Sequence, residues 1–256
     1  MNDTLRLQRA LLAESKREGR PEFDPGPLDG NRGQKTRAAL SAWASWAHSQ
    51  PHGLDVSSYQ PAALIDWAAA KAGGVSFMVA RASASLTPDA GYRTHSLQAH
   101  RAGVLTGAYH YFAPWRDPLK QAALFAGQWV AMPGDLPPVL DVEAVAPKAK
   151  PGQPAPIPCT SAELIERAAE CLHEIERLTK RRPVFYSYSS FVREHNLAAF
   201  FSKVYKLWLA DYREGPPTTP LEWPYAMHQY AGDTGHAPGV SGPCDLNRCK
   251  GNVADL

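Results

Sequence analysis

The sequence predicts an α/β protein, built as a parallel barrel or a doubly wound sheet and preceded by a small all-α module. Three observations carry that expectation. Seven apolar or β-branched runs between residues 53 and 231 have helical stretches between the first five or six of them. The last three runs lack long helices between them. The length of 256 residues suits one large domain or one and a half, at about 150 residues per domain.

Residues 1–48 read as helical. Leu5, Leu7, Leu11 and Leu12 recur at helical spacing, PEFDPGPLDGNRG is turn-rich, and Ala39, Leu40, Trp43 and Trp46 form the apolar stripe of a second helix. So small a module buries little surface alone and is expected to pack on its neighbour. SQPH at 49–52 is the joint, and residues 53–256 form the larger domain. The strand signals there are GLDVSSY, VSFMVARAS, VLTGAYHYF, PPVLDVE, PVFYSYS, KLWLADY and YAMHQYA. A helix is expected from Pro61 to Ala72, stopped by Gly73-Gly74. The clearest helix runs from Ser161 to about Lys180: Thr160 and Glu163 form a capping box, and Leu164, Ala168, Leu172, Ile175 and Leu178 mark its buried face. The proline-rich stretch 144–158 reads as a loop directly after PPVLDVE.

Composition narrows the function. Hydrophobic residues make up 44% and charged residues 20%, which is neither disordered nor fibrous. The net charge of +2 is too balanced for a dedicated nucleic-acid binder. No apolar run approaches the roughly 20 residues of a membrane span, so no membrane insertion is expected. The first twenty residues scatter charges and lack an apolar h-region, so no Sec signal peptide is read there. No H-E-x-x-H or C-x-x-C spacing occurs, and no phosphate-loop or G-x-G-x-x-G motif, so neither metal nor cofactor is expected. His110 reads as a packed or hydrogen-bonding histidine. Cys171 reads as a buried free thiol, and the spacing of Cys244 and Cys249 admits a disulfide around Asp245.

In β/α folds reactive groups sit at the carboxyl ends of strands, and acids recur at those ends here: Asp55, Asp141, Glu143, Asp211 and Asp245. Asp141 and Glu143 are two apart in a strand and project together. Two carboxyls on one face cannot both ionise cheaply, so one pKa should rise. A raised carboxylic acid beside an ionised one is what glycosidic bond cleavage needs.

The motifs GLDVSSYQ, VARAS, GAYHYF, LPPVLDVE, VFYSYSSF, LWLADY, MHQY and CDLN, in this order, resemble the glycoside hydrolase family 25 muramidases. The resemblance covers Gly53 to about Asn247. It implies an irregular (β/α)5(β)3 TIM-like barrel that cleaves the β-1,4 bond between N-acetylmuramic acid and N-acetylglucosamine. It also implies Glu143 as general acid, and Asp141 as the group that orients the substrate's 2-acetamido oxygen for attack on the anomeric carbon. Asp55 and Asp245 match two further acids lining the pocket, one of which could instead activate water. Tyr109, Phe112, Tyr186, Trp208 and Gln229 match positions around the saccharide, and Arg81 reads as a partner for the acids. LQRALL…DGNRGQKTRAAL resembles the peptidoglycan-binding three-helix module.

The expected partner is therefore the glycan strand of peptidoglycan, met by a monomer that is made in the cytoplasm. Without a leader, a lytic protein reaches the wall through a holin or a secretion machine, and the second route implies an immunity protein. Lys148 and Lys150 are placed to meet acidic stem peptides. A non-catalytic glycan-binding barrel and a hydrolase of chitin-like polymers are the alternatives.

Overall fold

The computed structural model describes residues 2–129, 135–149, 151, 154–219 and 223–256. Helices α1 (Asp3–Glu18) and α2 (Gln34–His48) form the amino-terminal module. Asn2 accepts from the Thr4 N–H to cap α1, and Gly19 in the left-handed region ends it. Gln8 stitches the connecting turn: its Nε2 donates to Asp29 (3.0 Å) and to the Asn31 carbonyl, and its Oε1 accepts from Gly30. Leu7, Leu11, Phe23, Ala39, Trp43 and Ala47 make a separate apolar cluster. The middle helix of a three-helix module is reduced to a 3-10 turn, Pro21–Phe23, because prolines at 21, 25 and 27 leave no room for a longer helix.

The barrel follows in chain order: β1 (His52–Val56), α3 (Trp67–Ala72), β2 (Val75–Ala84), β3 (Thr87–Pro88), α4 (Tyr92–Arg101), β4 (Leu105–Tyr111), α5 (Pro118–Gln128), β5 (Val139–Asp141), α6 (Ser161–Thr179), β6 (Val184–Tyr188), α7 (Ser189–Glu194), α8 (Ala198–Phe201), β7 (Leu207–Ala210), β8 (Tyr225–Ala231) and β9 (Asp245–Cys249). Strands pair in the order β1-β9-β8-β7-β6-β5-β4-β2-β3, and β1 also pairs with β2, which closes eight strands into a ring. All ring neighbours are parallel except β9, which runs antiparallel to both β8 and β1. Five strands are each followed by helix and the last three are not, the pattern the resemblance implies.

Period-two alternation builds two cores. Phe77, Val79, Val139, Val184, Tyr186, Trp208 and Met227 point inward and plug the barrel. Leu54, Met78, Ala80, Ala108, Phe112, Leu140, Phe185 and Leu209 point outward and pack with the helices, where Phe125, Leu164, Cys171, Leu172 and Ile175 meet them. Gly53 faces inward so closely that a Cβ would overlap the Phe77 ring.

Four expectations change. The helix expected from Pro61 starts only at Trp67, after a 3-10 turn at Ala62–Leu64; Asp66 caps it at the Ala69 N–H while its own N–H is bound to the Gly239 carbonyl (2.7 Å). Leu178 is 37% exposed, since α6 ends just beyond it at left-handed Lys180. His52 already belongs to β1, so the joint is 49–51, and the Cys249 N–H fastens it by donating to the Pro51 carbonyl. Cys244 and Cys249 are free thiols, one immediately before extended β9 and the other at its end, about 16 Å of chain apart and far beyond the reach of a disulfide.

Candidate active site

The inward-pointing residues at one end of the barrel line a cleft of about 1050 Å³. Strand register assembles it. Tyr111 of β4 is paired with Asp141 of β5, Asp141 with Tyr186 of β6, and Tyr186 with Trp208 of β7. Across the seam, Gln229 of β8 lies opposite Asn247 of β9, and Asp245 of β9 opposite Asp55 of β1. Asp245 is thus the first residue of its strand and not the last. Because β9 is antiparallel, its amino end shares the rim with the carboxyl ends of the others.

A hydrogen-bond chain fixes the seam. Trp208 Nε1 donates to Asn247 Oδ1 (2.9 Å), and Asn247 Nδ2 donates to Asp55 Oδ2 (2.7 Å). Gln229 Nε2 donates to the same Asp55 oxygen (2.7 Å) and to Asp245 Oδ2 (3.3 Å). Gln229 Oε1 in turn accepts from Tyr186 (2.8 Å) and Tyr212 (2.7 Å). Both amides are therefore locked with their donors on Asp55.

The four acids have distinct environments. Like charges directly opposite in an antiparallel pair are destabilising, and Asp55 and Asp245 avoid that by sharing a proton. Burial and then the Asp55 charge push Asp245 up to about 8, and it donates to Asp55. Burial also raises Asp55, opposed by the Asn247 and Gln229 donors. Asp141 is 6% exposed with no partner for Oδ1; burial, then Glu143 and Asp55, hold it well above the usual carboxylate range. Glu143 is less buried; burial and then Asp55 raise it, and Lys148 pulls the other way. All four acids are raised above the ordinary carboxylate range, and Asp245, pushed up to about 8, keeps its proton at neutral pH; carboxyls raised in this way can move a proton onto a leaving oxygen.

The cleft thus unites nine of the ten residues singled out: Glu143, Asp141, Asp55, Asp245, Tyr109, Tyr186, Trp208, Gln229 and Arg81. Phe112 is not among them. It is fully buried in the helix-facing core, because alternation from Tyr109 and Tyr111 turns residues 110 and 112 outward. Arg81 bonds none of the four acids: its Nε donates to Asp89 (2.8 Å), and its guanidinium lies 5.0 Å from the Tyr59 ring centroid. Its charge alone tempers Asp141. Asp211 is tied up by Arg213 (2.6 Å) and the Thr218 N–H, and bonds within its own loop hold it low against burial. His110 is buried and bonded to Ser83 and Gln121. Lys148 lies on the rim, and Lys150 lies outside the described residues.

Sequence reading missed Tyr59, Tyr111, Trp115, Tyr188, Tyr212, Asp233 and Asn247. Tyr111, Tyr188 and Asn247 share strand parity with chosen neighbours and were findable by counting in twos; the others sit on loops. Among the described residues no group of His, Cys, Asp and Glu is arranged to hold a metal ion, and no helix is long and apolar enough to cross a membrane.

The sequence profile of the family described as Glycosyl hydrolases family 25 matches residues 54–240. The protein YegX of Escherichia coli (strain K12) is 33% identical over 214 residues, covering 80% of this chain and 71% of its own. Lysozyme M1 of Streptomyces globisporus is 29% identical over 217 residues, covering 80% and 69%. The crystal structure of the bacterial lysozyme from Streptomyces coelicolor superposes with a TM-score of 0.70 at 26% identity, over 81% of this chain and 95% of that one.

Proposed function

The chain belongs to glycosyl hydrolase family 25, and from that premise we propose that it is a muramidase, cleaving the β-1,4 bond between N-acetylmuramic acid and N-acetylglucosamine in peptidoglycan. The observation that carries the proposal is the grouping of Asp141 and Glu143 on one face of a cleft in which Asp55 and Asp245 pair across the seam. The lysozymes it resembles support the substrate class.

In the proposed mechanism Glu143, protonated and nearest the solvent of the acid pair, gives its proton to the glycosidic oxygen. Asp141 accepts from the N–H of the substrate's 2-acetamido group, so the acetamido oxygen attacks the anomeric carbon as the C–O bond breaks. Water then enters, giving a proton back to Glu143, and opens the ring intermediate. Asp55 takes two amide N–H bonds, which lower its basicity, and Asp245 carries the shared proton; both suit a charge-tuning role better than that of a water-activating base. Tyr186, Trp208 and Tyr109 supply faces for sugar C–H surfaces.

The test is digestion of purified peptidoglycan with wild type and Glu143→Gln, borohydride reduction, and mass spectrometry of the soluble fragments. Fragments ending in reduced N-acetylmuramic acid from wild type only are the expected result. Reduced N-acetylglucosamine ends would place the cut at the other bond. Anhydro ends would mean a transglycosylase, and binding without fragments a glycan-binding barrel. Release from chitin oligomers at a similar rate would move the substrate class.

A further inference from the structure

The loop after β7 carries Tyr212, whose hydroxyl is one of two that hold Gln229 against Asp55 and Asp245. Tyr212 is 58% exposed, so its direction depends on the loop that bears it. That loop is gripped by the amino-terminal module. Arg6 Nη2 donates to the Glu214 carbonyl (2.6 Å), and Arg32 pairs with the Glu214 carboxylate (2.5 Å). Arg17 Nη2 donates to Thr219 Oγ1 (2.7 Å). Gly215, in the left-handed region at φ +90°, lies so close to Leu7 that any Cβ would overlap its methyl.

The module has its own footing on the barrel, independent of that loop. Glu14, fully buried, accepts from the Tyr225 hydroxyl of β8 (2.6 Å) and faces Lys250 at 3.6 Å. Arg248 of β9 lies between Trp43 of α2 and Tyr230 of β8, 5.2 Å and 4.0 Å from their ring centroids. A clamp with one jaw on the strands can hold a loop rigidly; a tethered module cannot. We propose that the amino-terminal helix pair is a positioning element of the active site, clamping loop 211–219 so that Tyr212 keeps Gln229 on the Asp55–Asp245 pair. Arg6 is its central positioning residue. The effect on turnover rests on the hydrolytic reading above; the effect on the carboxyl pair does not.

The variants Arg6→Met, Tyr212→Phe and the double variant separate these. Arg6 Nε and Nη1 are buried without acceptors, so methionine keeps the packed stem and removes two orphaned donors, leaving the melting temperature nearly unchanged. Expected values of kcat/KM on soluble glycan fragments fall about fivefold for Arg6→Met and about tenfold for Tyr212→Phe. The double variant falls about tenfold and not the roughly fiftyfold product, since both act through one contact. Carboxyl-carbon NMR, with ¹³C-labelled aspartate, should show the Asp55–Asp245 titration moved by each single change and no further by the double. Multiplied effects, or an Arg6→Met titration identical to wild type, overturn the clamp. If wild type cleaves no peptidoglycan, the hydrolytic reading falls while the titration still decides the clamp. Should Arg6→Met misfold, Arg32→Ala, at an exposed ion pair, must move the same titration or the idea fails.

Discussion

Replacing Asp245 by asparagine should stabilise the protein, and do so only above about pH 4. Asp245 faces Asp55 in register, and its carboxyl is pushed up to about 8 from an ordinary 3.8 by burial and by the Asp55 charge. An acid whose folded pKa is raised binds its proton more tightly when folded. Its penalty is therefore absent below the unfolded pKa, grows as pH climbs toward 8, and levels off above that. At pH 7 the two states differ by about three pKa units, or about 4 kcal/mol; water reaching the half-buried carboxyl reduces this to about 2 kcal/mol. Asparagine keeps a donor toward Asp55 and an acceptor for Gln229, and needs no proton. Asp245→Asn should then gain about 4 °C in Tm at pH 7 for a chain of this size, and nothing at about pH 4. Calorimetry of both proteins across that range is the assay. A gain independent of pH, or none at pH 7, would refute the shared-proton reasoning.

Other consequences follow from the same geometry. Gln229→Leu strips donors from Asp55 and Asp245 and leaves two tyrosine hydroxyls without their acceptor, so kcat should drop on the order of a hundredfold, with the acid limb of the pH–rate profile moved upward. Phe112→Leu should lower stability by about 1 kcal/mol with KM unchanged, because the ring faces helices; a raised KM would return it to the cleft. Gly53→Ala forces a methyl into the Phe77 ring and should cost about 2–3 kcal/mol, read as a lower denaturation midpoint at constant m. Unreduced, denatured protein should titrate as four thiols, whereas in the native state Cys159 alone should react fast, since burial raises Cys171, Cys244 and Cys249.

What the sequence disclosed follows from its periodicities. Strands of seven or ten residues, such as β4 and β2, stand out as nearly continuous apolar runs because alternate side chains go to two buried faces, one meeting helices and the other a closed interior. The same parity rule, applied through AYHYF, selects Tyr111 over Phe112. The resemblance had favoured Phe112, since a matched position does not say which way a side chain points. The α6 capping box is local chemistry and was fully legible. Tyr212 was not, because its direction is set by Leu7, Arg6 and Arg32, about 180 to 206 residues away in sequence. Nor could spacing reveal that β9 reverses, which brings Asp245 to the rim, or that it is extended, which separates Cys244 from Cys249.

The cleft's charge balance ties these points together. Five carboxyls line it against Arg81 and Lys148, and Arg81 is already neutralised by Asp89. Were every acid ionised, the site would repel the anionic lactyl and peptide groups of a muramyl substrate and would hold no proton to donate. The apolar plug beneath, from Phe77 to Met227, removes the water that would otherwise let the acids ionise. Desolvation therefore does two things at once: it keeps protons on the cleft at neutral pH, and it lowers the net charge a glycan must meet. The donors Gln229 and Asn247 then decide which carboxyl of the seam pair is favoured for negative charge, Asp55, across the barrel from Asp141 at the end of β5 and Glu143 just beyond it. A module that keeps Tyr212 on Gln229 acts on that decision, which is why a contact far along the chain from either acid belongs to the chemistry of the site.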